Sequence, residues 1–237
     1  RIKLKIIHTY GVVKQAEELA GRMHLSAEDT DLARLIALLH DIGRFEQLKR
    51  YDSFEPGTMD HAAYGVKVLF DEGMIRRFLP DDKWDSIIYT AIAHHSDYEL
   101  PEISDPQTLL HAKLIRDEDK LDNCRVKLVD STSTFINVSE EELGTQNITQ
   151  KVYETVFKNK CILSADRVTQ MDYWVSYIVY FFDINFKESF DIIAENDYLN
   201  RIIDRIPYSN PVTKEQMENI RVYMQNFINS HTNSQSF

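Results

Sequence analysis

The sequence predicts an all-α fold, and three observations carry that prediction. Gly and Pro, the residues that most often interrupt helices, number only 7 and 6 among 237 residues. Apolar residues recur with helical spacing, and no alternating strand pattern persists anywhere. The hydrophobic content of 43% is that of a globular protein with a substantial core. We expect a single domain over residues 1–237, in which a C-terminal helical extension (131–237) packs on a core formed by residues 1–130.

The first two predicted helices each place a polar residue on an inward face. Residues 1–23 form a helix in which His8 shares a stripe with apolar residues. The sequence Ser26-Ala27-Glu28-Asp29 resembles a capping box and predicts the start of the second helix. Gly43 is expected to end this helix as a C′ residue. The doublet His40-Asp41 would then lie at its carboxyl end.

Three further helices repeat this pattern, and a helical second half follows. One runs from about residue 59 to 72 and carries His61, and the next begins at Pro80 and ends in His94-His95. A third begins with the cap Asp105-Pro106 and reaches about residue 126, with Asp119 and Asp122 on an otherwise apolar stripe. The later helices, predicted at 149–159, 167–183, 187–199 and 213–229, are rich in aromatic residues that we interpret as core packing.

Composition excludes several classes of protein. The net charge of −11 argues against nonspecific nucleic-acid binding, but bound cations would still permit an anionic substrate. Two cysteines cannot form a disulfide scaffold, which is typical of an intracellular protein. No apolar run is long enough to span a bilayer, and no signal peptide is visible. These observations predict a cytoplasmic protein that does not bind membranes.

The inward-facing polar residues predict a metal centre. Each of them alone has an ordinary interpretation, such as a core histidine with one hydrogen bond. Together they would bury too many unpaired polar groups, which coordination of metal would resolve. The absence of cysteine among them favours Mn, Fe, Mg, Co or Zn, and their number suits two divalent ions bridged by one carboxylate. The set comprises His8, His40, Asp41, His61, His94, His95 and Asp119.

The order of these residues resembles that of the HD-domain metal-dependent phosphohydrolases. The doublet His40-Asp41 matches the one that names the family, His8 matches its leading histidine, and Asp119 matches its final aspartate. The additional histidines, His61 and the pair His94-His95, are similar to the two-metal branch best known from the HD-GYP phosphodiesterases. The resemblance covers about residues 1–130 and implies an HD-domain helical bundle with additional C-terminal helices.

The resemblance also implies roles for the individual residues. One metal would be held by His8, His40, Asp41 and Asp119, and the other by Asp41, His61, His94 and His95, with Asp41 bridging. The implied reaction is hydrolysis of a phosphoester, in a nucleotide or another small phosphorylated compound, by a metal-activated hydroxide. The implied catalytic residues are Asp41, Arg44, which would contact the phosphate, and Asp122, which would orient a metal ligand or Lys120.

Departures from the family pattern leave alternatives open. The Gly-Tyr-Pro motif is missing, which weakens the case for cyclic-di-GMP as substrate, and Arg44 stands where that branch usually has Lys. Arg44 can also be interpreted as a surface ion pair. A few HD-domain proteins with a similar set of four His and two Asp are di-iron oxygenases, and the one extra histidine here favours the hydrolases. A non-catalytic, nucleotide-sensing module is the third interpretation. The substrate, the metal and the oligomeric state stay open.

Overall fold

A computed structural model describes residues 1–55 and 57–232, and these residues are helical and without β-strands. Pro56, between these two ranges, lies outside the described residues. The first half contains α1 (Ile2–Arg22), α2 (Ala27–Leu39), α3 (Ile42–Tyr51), α4 (His61–Val66), α5 (Asp85–His94) and α6 (Pro106–Val129). The second half contains α7 (Thr132–Phe135), α8 (Glu140–Leu143), α9 (Gln150–Val156), α10 (Gln170–Val179), α11 (Lys187–Glu195), α12 (Tyr198–Asp204) and α13 (Pro211–Thr232). The prediction of an all-α fold is confirmed.

The chain divides into two compact units, residues 1–122 and 123–237. The boundary falls within α6, a few residues before the division predicted at residue 130. That the second half packs on the first stays a prediction. None of the described helices is both long enough and apolar enough to cross a bilayer.

In the first unit, apolar stripes on successive helices form the core around the polar residues. α1 packs on α2, α3 on α4, and α4 on α5. Ser26 caps α2 through a 3.0 Å hydrogen bond from the backbone N–H of Asp29 to its hydroxyl, as the sequence predicts. Completely buried apolar side chains of this core include Val12, Leu19, Ile36, Ile88, Ile92 and Ile115.

Two predicted helix boundaries in the first unit are wrong. Gly43 does not end α2, because that helix stops at Leu39 and Gly43 lies in the first turn of α3. The helix predicted to start at Pro80 starts at Asp85. The helix predicted over residues 59–72 begins as α4 and continues as a short π-helix (Lys67–Asp71). Gly73 follows the π-helix and has a positive φ of 75°, a conformation that glycine adopts without strain.

The second unit differs from the predictions in two places. Short helices, α7 and α8, lie within residues 131–144, which the sequence predicts as turns. The single helix predicted over 187–199 is two helices, because Asp197 adopts a left-handed conformation with φ 51° between α11 and α12. Trp174 and Phe181 are buried, in agreement with the interpretation of the aromatic residues as core.

Candidate metal centre

The His40-Asp41 doublet forms the turn between α2 and α3. His40 follows the last residue of α2, and its Nδ1 lies 2.7 Å from the carbonyl oxygen of Ala37. Because a carbonyl only accepts, Nδ1 carries the proton and Nε2 is the lone-pair atom of the neutral ring. Nε2 is buried and has no hydrogen-bond partner in the part of the chain that the structure describes. An unpaired buried acceptor is costly, so the position of His40 suits a ligand of a cation.

The two oxygens of the buried Asp41 carboxylate face two different pairs of imidazoles. Oδ2 lies 3.4 Å from Nε2 of His40 and 3.9 Å from Nε2 of His8. Oδ1 lies 3.4 Å from Nε2 of His61 and 3.7 Å from Nε2 of His95. Asp41 directly precedes α3, yet its side chain does not cap that helix. Its carboxylate therefore does not have the usual structural role at a helix start and lies between the two pairs of imidazoles.

His8 of α1 lies between two carboxylates of α6. Its Nδ1 is 2.7 Å from Oδ2 of Asp122, and its Nε2 is 2.9 Å from Oδ1 of Asp119. Asp122 is completely buried, whereas Asp119 is partly exposed. Gly11 makes this arrangement possible, because a Cβ at that position would overlap the Asp122 carboxylate. Asp122 thus orients the His8 ring so that Nε2 points towards Asp119 and the cluster.

His61 and His95 form the other side of the cluster. Their Nε2 atoms are 3.1 Å apart, and Nδ1 of His95 lies 2.7 Å from the carbonyl oxygen of Ile92. Since Nδ1 of His95 donates to this carbonyl, Nε2 of the neutral ring presents a lone pair. A proton or a cation can therefore lie between the Nε2 atoms of His61 and His95. Gly43 lets α3 approach the start of α4, because a Cβ there would overlap the carbonyl oxygen of His61. Because Asp41 is only two residues before Gly43, this close approach also brings Asp41 beside His61.

The two carboxylates of the cluster are ionised at neutral pH. Burial by itself would raise the pKa of Asp41, but Lys5 and His40 together hold that pKa well below its usual range. For Asp119, burial acts in the same direction and is outweighed by the hydrogen bond from His8 and its charge, which lower the pKa. Both side chains therefore present negative oxygens, the form that binds metal.

The imidazoles differ in their protonation. Burial, with a smaller contribution from the charge of Arg44, lowers the pKa of His61 to about 2, so this ring is neutral. Burial also disfavours protonation of His40, but the neighbouring Asp41 and Asp119 carboxylates outweigh it and raise the pKa. A divalent cation would compensate the same carboxylate charge and leave His40 neutral as a ligand.

These side chains fit divalent metal ions. The first group of donors is His8, His40 and Asp119, and the second is His40, Asp41 and His95; in each, ligand atoms of all three residues lie within 4.8 Å of one another. Imidazole nitrogens combined with carboxylate oxygens are the donors that Mn, Fe, Co and Zn accept.

His94 is the predicted donor that the structure does not bring to the cluster. It is half-exposed, and its Nδ1 lies 2.6 Å from Oδ2 of Asp97. Neighbouring positions on a helix point about 100° apart, so a backbone that directs His95 inwards directs His94 away. The buried Arg116 donates to the carbonyl oxygens of His94 (2.9 Å) and His95 (3.4 Å) and so fixes this end of α5. The other six predicted donors lie together.

Arg44, the predicted phosphate contact, lies beside the cluster and holds a neighbouring loop. Its Nε is 3.6 Å from Oδ1 of Asp41. Its Nη1 donates to Oε1 of Gln47 (2.6 Å) and to the carbonyl oxygen of Phe54 (3.4 Å). The alternative of a surface ion pair does not describe this geometry, because Arg44 is largely buried and faces a buried carboxylate. Its contact with phosphate stays a prediction.

Sequence reasoning missed Lys5 and Glu118. Lys5 lies one turn before His8 on the same face of α1, and its ammonium group contacts Oδ2 of Asp41. Extending the inward stripe of α1 backwards from His8 would have found it. Glu118 is completely buried, and burial, together with the charges of Asp117 and Asp119, raises its pKa well above the usual range. Glu118 lies within an acidic run of the sequence, and such a run does not indicate that one of its residues is buried.

A comparison with protein families agrees with this geometry. The family model described as "HD domain" matches residues 6–124, half of the chain, and this region includes all six clustered donors. The chain has no significant match among curated proteins or solved structures. The likeness to the HD-GYP branch stays a prediction. The chain belongs to the HD-domain superfamily of metal-dependent phosphohydrolases.

Proposed function

We propose that this protein hydrolyses a phosphoester, in a nucleotide or another small phosphorylated compound, with the help of two divalent metal ions. The observation that carries the proposal is the position of Asp41. Its Oδ2 faces His8 and His40, and its Oδ1 faces His61 and His95. One carboxylate between two sets of donors supports the binding of two metal ions, which in a hydrolase activate water and neutralise charge on the phosphoryl group.

The residues of the chain have distinct tasks in this proposal. His8, His40, Asp119 and Oδ2 of Asp41 would hold one ion, and His61, His95 and Oδ1 of Asp41 the other. Bound divalent ions supply an activated water molecule and neutralise the charge that develops on the phosphoryl group. Asp122 and the carbonyl oxygens of Ala37 and Ile92 keep the rings of His8, His40 and His95 in their ligating orientation.

Cationic side chains beside the cluster support a phosphorylated substrate. Nε of Arg44 lies near Oδ1 of Asp41, and the Lys5 ammonium group lies at Oδ2. A carboxylate-rich site with two adjacent cations offers positive charge to an anionic substrate once the carboxylates are neutralised by metal. This local charge explains how a chain with a net charge of −11 would bind an anion.

Metal content and turnover test the proposal together. Protein purified without chelator and reconstituted with Mn or Fe should contain about two ions per chain by elemental analysis. It should release product from at least one member of a panel of phosphomonoesters and phosphodiesters. Treatment with a chelator should abolish turnover, and added Mn²⁺ should restore it. Less than one ion per chain, together with no turnover, would contradict the proposal.

The position of His94 favours a second candidate, a di-iron oxygenase. With His94 paired to Asp97, the clustered set is four His and two Asp, which is the set of the oxygenases on this scaffold. The extra histidine that favoured the hydrolases from the sequence is thus outside the cluster. Iron content and substrate-dependent O₂ consumption separate the two candidates, since the hydrolase requires no O₂.

A further inference from the structure

Lys5 places a positive charge inside the cluster of metal-binding donors. Its ammonium group contacts Oδ2 of Asp41, and its side chain is only 13% exposed. Nζ also lies 5.6 Å from the centre of the Phe54 ring. The lysine stands three residues before His8 on α1, so the helix that carries a metal ligand also carries this cation. Lys5 is therefore part of the site.

The contact that Lys5 makes competes with metal binding. Oδ2 is the Asp41 oxygen that faces His40 at 3.4 Å and His8 at 3.9 Å, and so it is the oxygen that a metal held by these histidines would use. A divalent ion and an ammonium group at the same oxygen would repel each other strongly at such a short distance. Lys5 must therefore give up Asp41 when metal binds there.

The displaced ammonium group needs another anionic partner. A largely buried charge without a partner is unfavourable, and the nearby carboxylates of Asp41 and Asp119 would be occupied by metal. Arg44 is engaged with Gln47 and the carbonyl oxygen of Phe54, whereas the Lys5 ammonium group has no such backbone or side-chain amide contact among the described residues. Lys5 stays tethered beside the donors and is the more available cation.

We propose that Lys5 is a substrate-binding residue that exchanges partners: it contacts the Asp41 carboxylate in the metal-free protein and a phosphoryl oxygen of the substrate in the metal-loaded protein. This inference rests on the proposed function, because it assigns the anion that the metal-loaded site binds. The group that Lys5 recognises in the substrate is an anionic phosphoryl oxygen. Arg44 adds positive charge beside the cluster and also holds the loop containing Phe54.

The test compares the variants Lys5→Met and Lys5→Arg with wild-type protein. The control is Lys14→Met, which removes an exposed lysine from the same helix. Elemental analysis measures Mn²⁺ content, and titration calorimetry measures the affinity of the Mn²⁺-loaded proteins for inorganic phosphate. Lys5→Met should keep the Mn²⁺ content and bind phosphate at least about tenfold more weakly, which corresponds to one charge-assisted hydrogen bond. Lys5→Arg keeps the positive charge and the hydrogen-bond donors and should stay within about threefold of wild type, as should Lys14→Met.

A second measurement tests the exchange itself. Because Lys5 competes for Asp41, Lys5→Met should bind Mn²⁺ more tightly than wild-type protein in the absence of phosphate. If Lys5→Met does not fold by circular dichroism, Lys5→Gln carries the same comparison. Phosphate affinity of a folded, Mn²⁺-loaded Lys5→Met or Lys5→Gln variant within twofold of wild type would overturn the inference. Failure of the proposed function looks different: wild-type protein would bind Mn²⁺ and phosphate but hydrolyse no phosphoester.

Discussion

Asp41 and Asp172 are both buried carboxylates near the start of a helix, but their hydrogen-bond donors differ. Asp172 in α10 accepts from the backbone N–H groups of Thr149 (2.8 Å), Val168 (2.9 Å) and Thr169 (3.1 Å). Asp41 faces imidazoles on both sides and caps no helix. Backbone donors cannot move away without unfolding the segment that bears them, whereas the Lys5 side chain that donates to Asp41 can be displaced by a metal ion.

The comparison shows that burial of a charged residue does not identify a functional site. Both carboxylates are almost completely inaccessible to solvent. The identity of the neighbouring groups separates them, because a carboxylate saturated by backbone N–H groups has a structural role, whereas one that lies among imidazole rings has neighbours that can bind a metal ion together with it. Substitutions at the two positions should therefore have different effects on metal binding and on stability.

The largest effect is expected for Asp41→Asn. The amide keeps the size of the side chain but removes the charge that the two proposed metal sites would share. Loss of metal-based stabilisation of several kcal/mol should lower the proposed phosphohydrolase activity by about a thousandfold and reduce the metal content. Enzyme kinetics measure the activity, and elemental analysis measures the metal content. Full metal content with unchanged activity in Asp41→Asn would show that Asp41 is not a bridging ligand.

Asp172→Asn should change stability and leave the metal centre intact. The new NH₂ group would face backbone N–H donors, so at least one charge-assisted hydrogen bond is lost and a donor stays unpaired. We expect a decrease in the free energy of unfolding of about 3 kcal/mol, measured by urea denaturation. Metal content and activity of the folded fraction should equal those of wild-type protein. A loss of metal instead would mean that the two carboxylates are not functionally distinct.

Asp122→Asn should have an intermediate effect, since Asp122 is a buried carboxylate that would act through the proposed ligand His8. It contacts Nδ1 of His8 and no metal directly in the proposed arrangement. Loss of such a partner typically lowers metal affinity about 10- to 100-fold, and that is the expected effect here. Competition with a metal-binding dye measures the affinity. An effect as large as that of Asp41→Asn would identify Asp122 as a ligand.

The smallest effect is expected for His94→Ala, with His95→Ala as the matched variant next to it. His94 pairs with Asp97 at the surface, whereas His95 is buried in the cluster. Metal content and activity should therefore fall in His95→Ala and stay within about threefold of wild type in His94→Ala, the effect usual for a surface substitution. Equal losses in both variants would restore the seven-donor set predicted from the sequence.

The sequence was sufficient for the fold class and for the helices that carry the donors. Helical spacing placed His8, Asp119 and Asp122 on inward faces, and the structure brings these three together. The reason is that periodicity reports which face of a helix is buried, and a polar residue on that face must have a partner.

The sequence could not predict features that depend on the direction of a side chain at a helix end. It also could not predict contacts between residues that lie far apart in the chain. Two adjacent histidines at a helix end are equivalent in sequence, and only the path of α5 decides that His95 points inwards. Gly43 appears in sequence as a helix end, but its role is the close approach of α3 to His61. The helical stripe of α1 could place Lys5 on the inward face, but its contact with Asp41 joins residues 36 positions apart, and no local pattern identifies that partner.

The pairing of His8 with Asp119 has a consequence for the lifetime of the protein. These residues are 111 positions apart in the chain and belong to the first and last helices of the first unit. A metal ion bound by both would act as a non-covalent cross-link that closes almost the whole unit. Its resistance to heat and proteases would then follow the free metal concentration, gaining about 2.7 kcal/mol when that concentration is a hundred times the dissociation constant. Metal supply would thus govern the abundance of the protein as well as its activity.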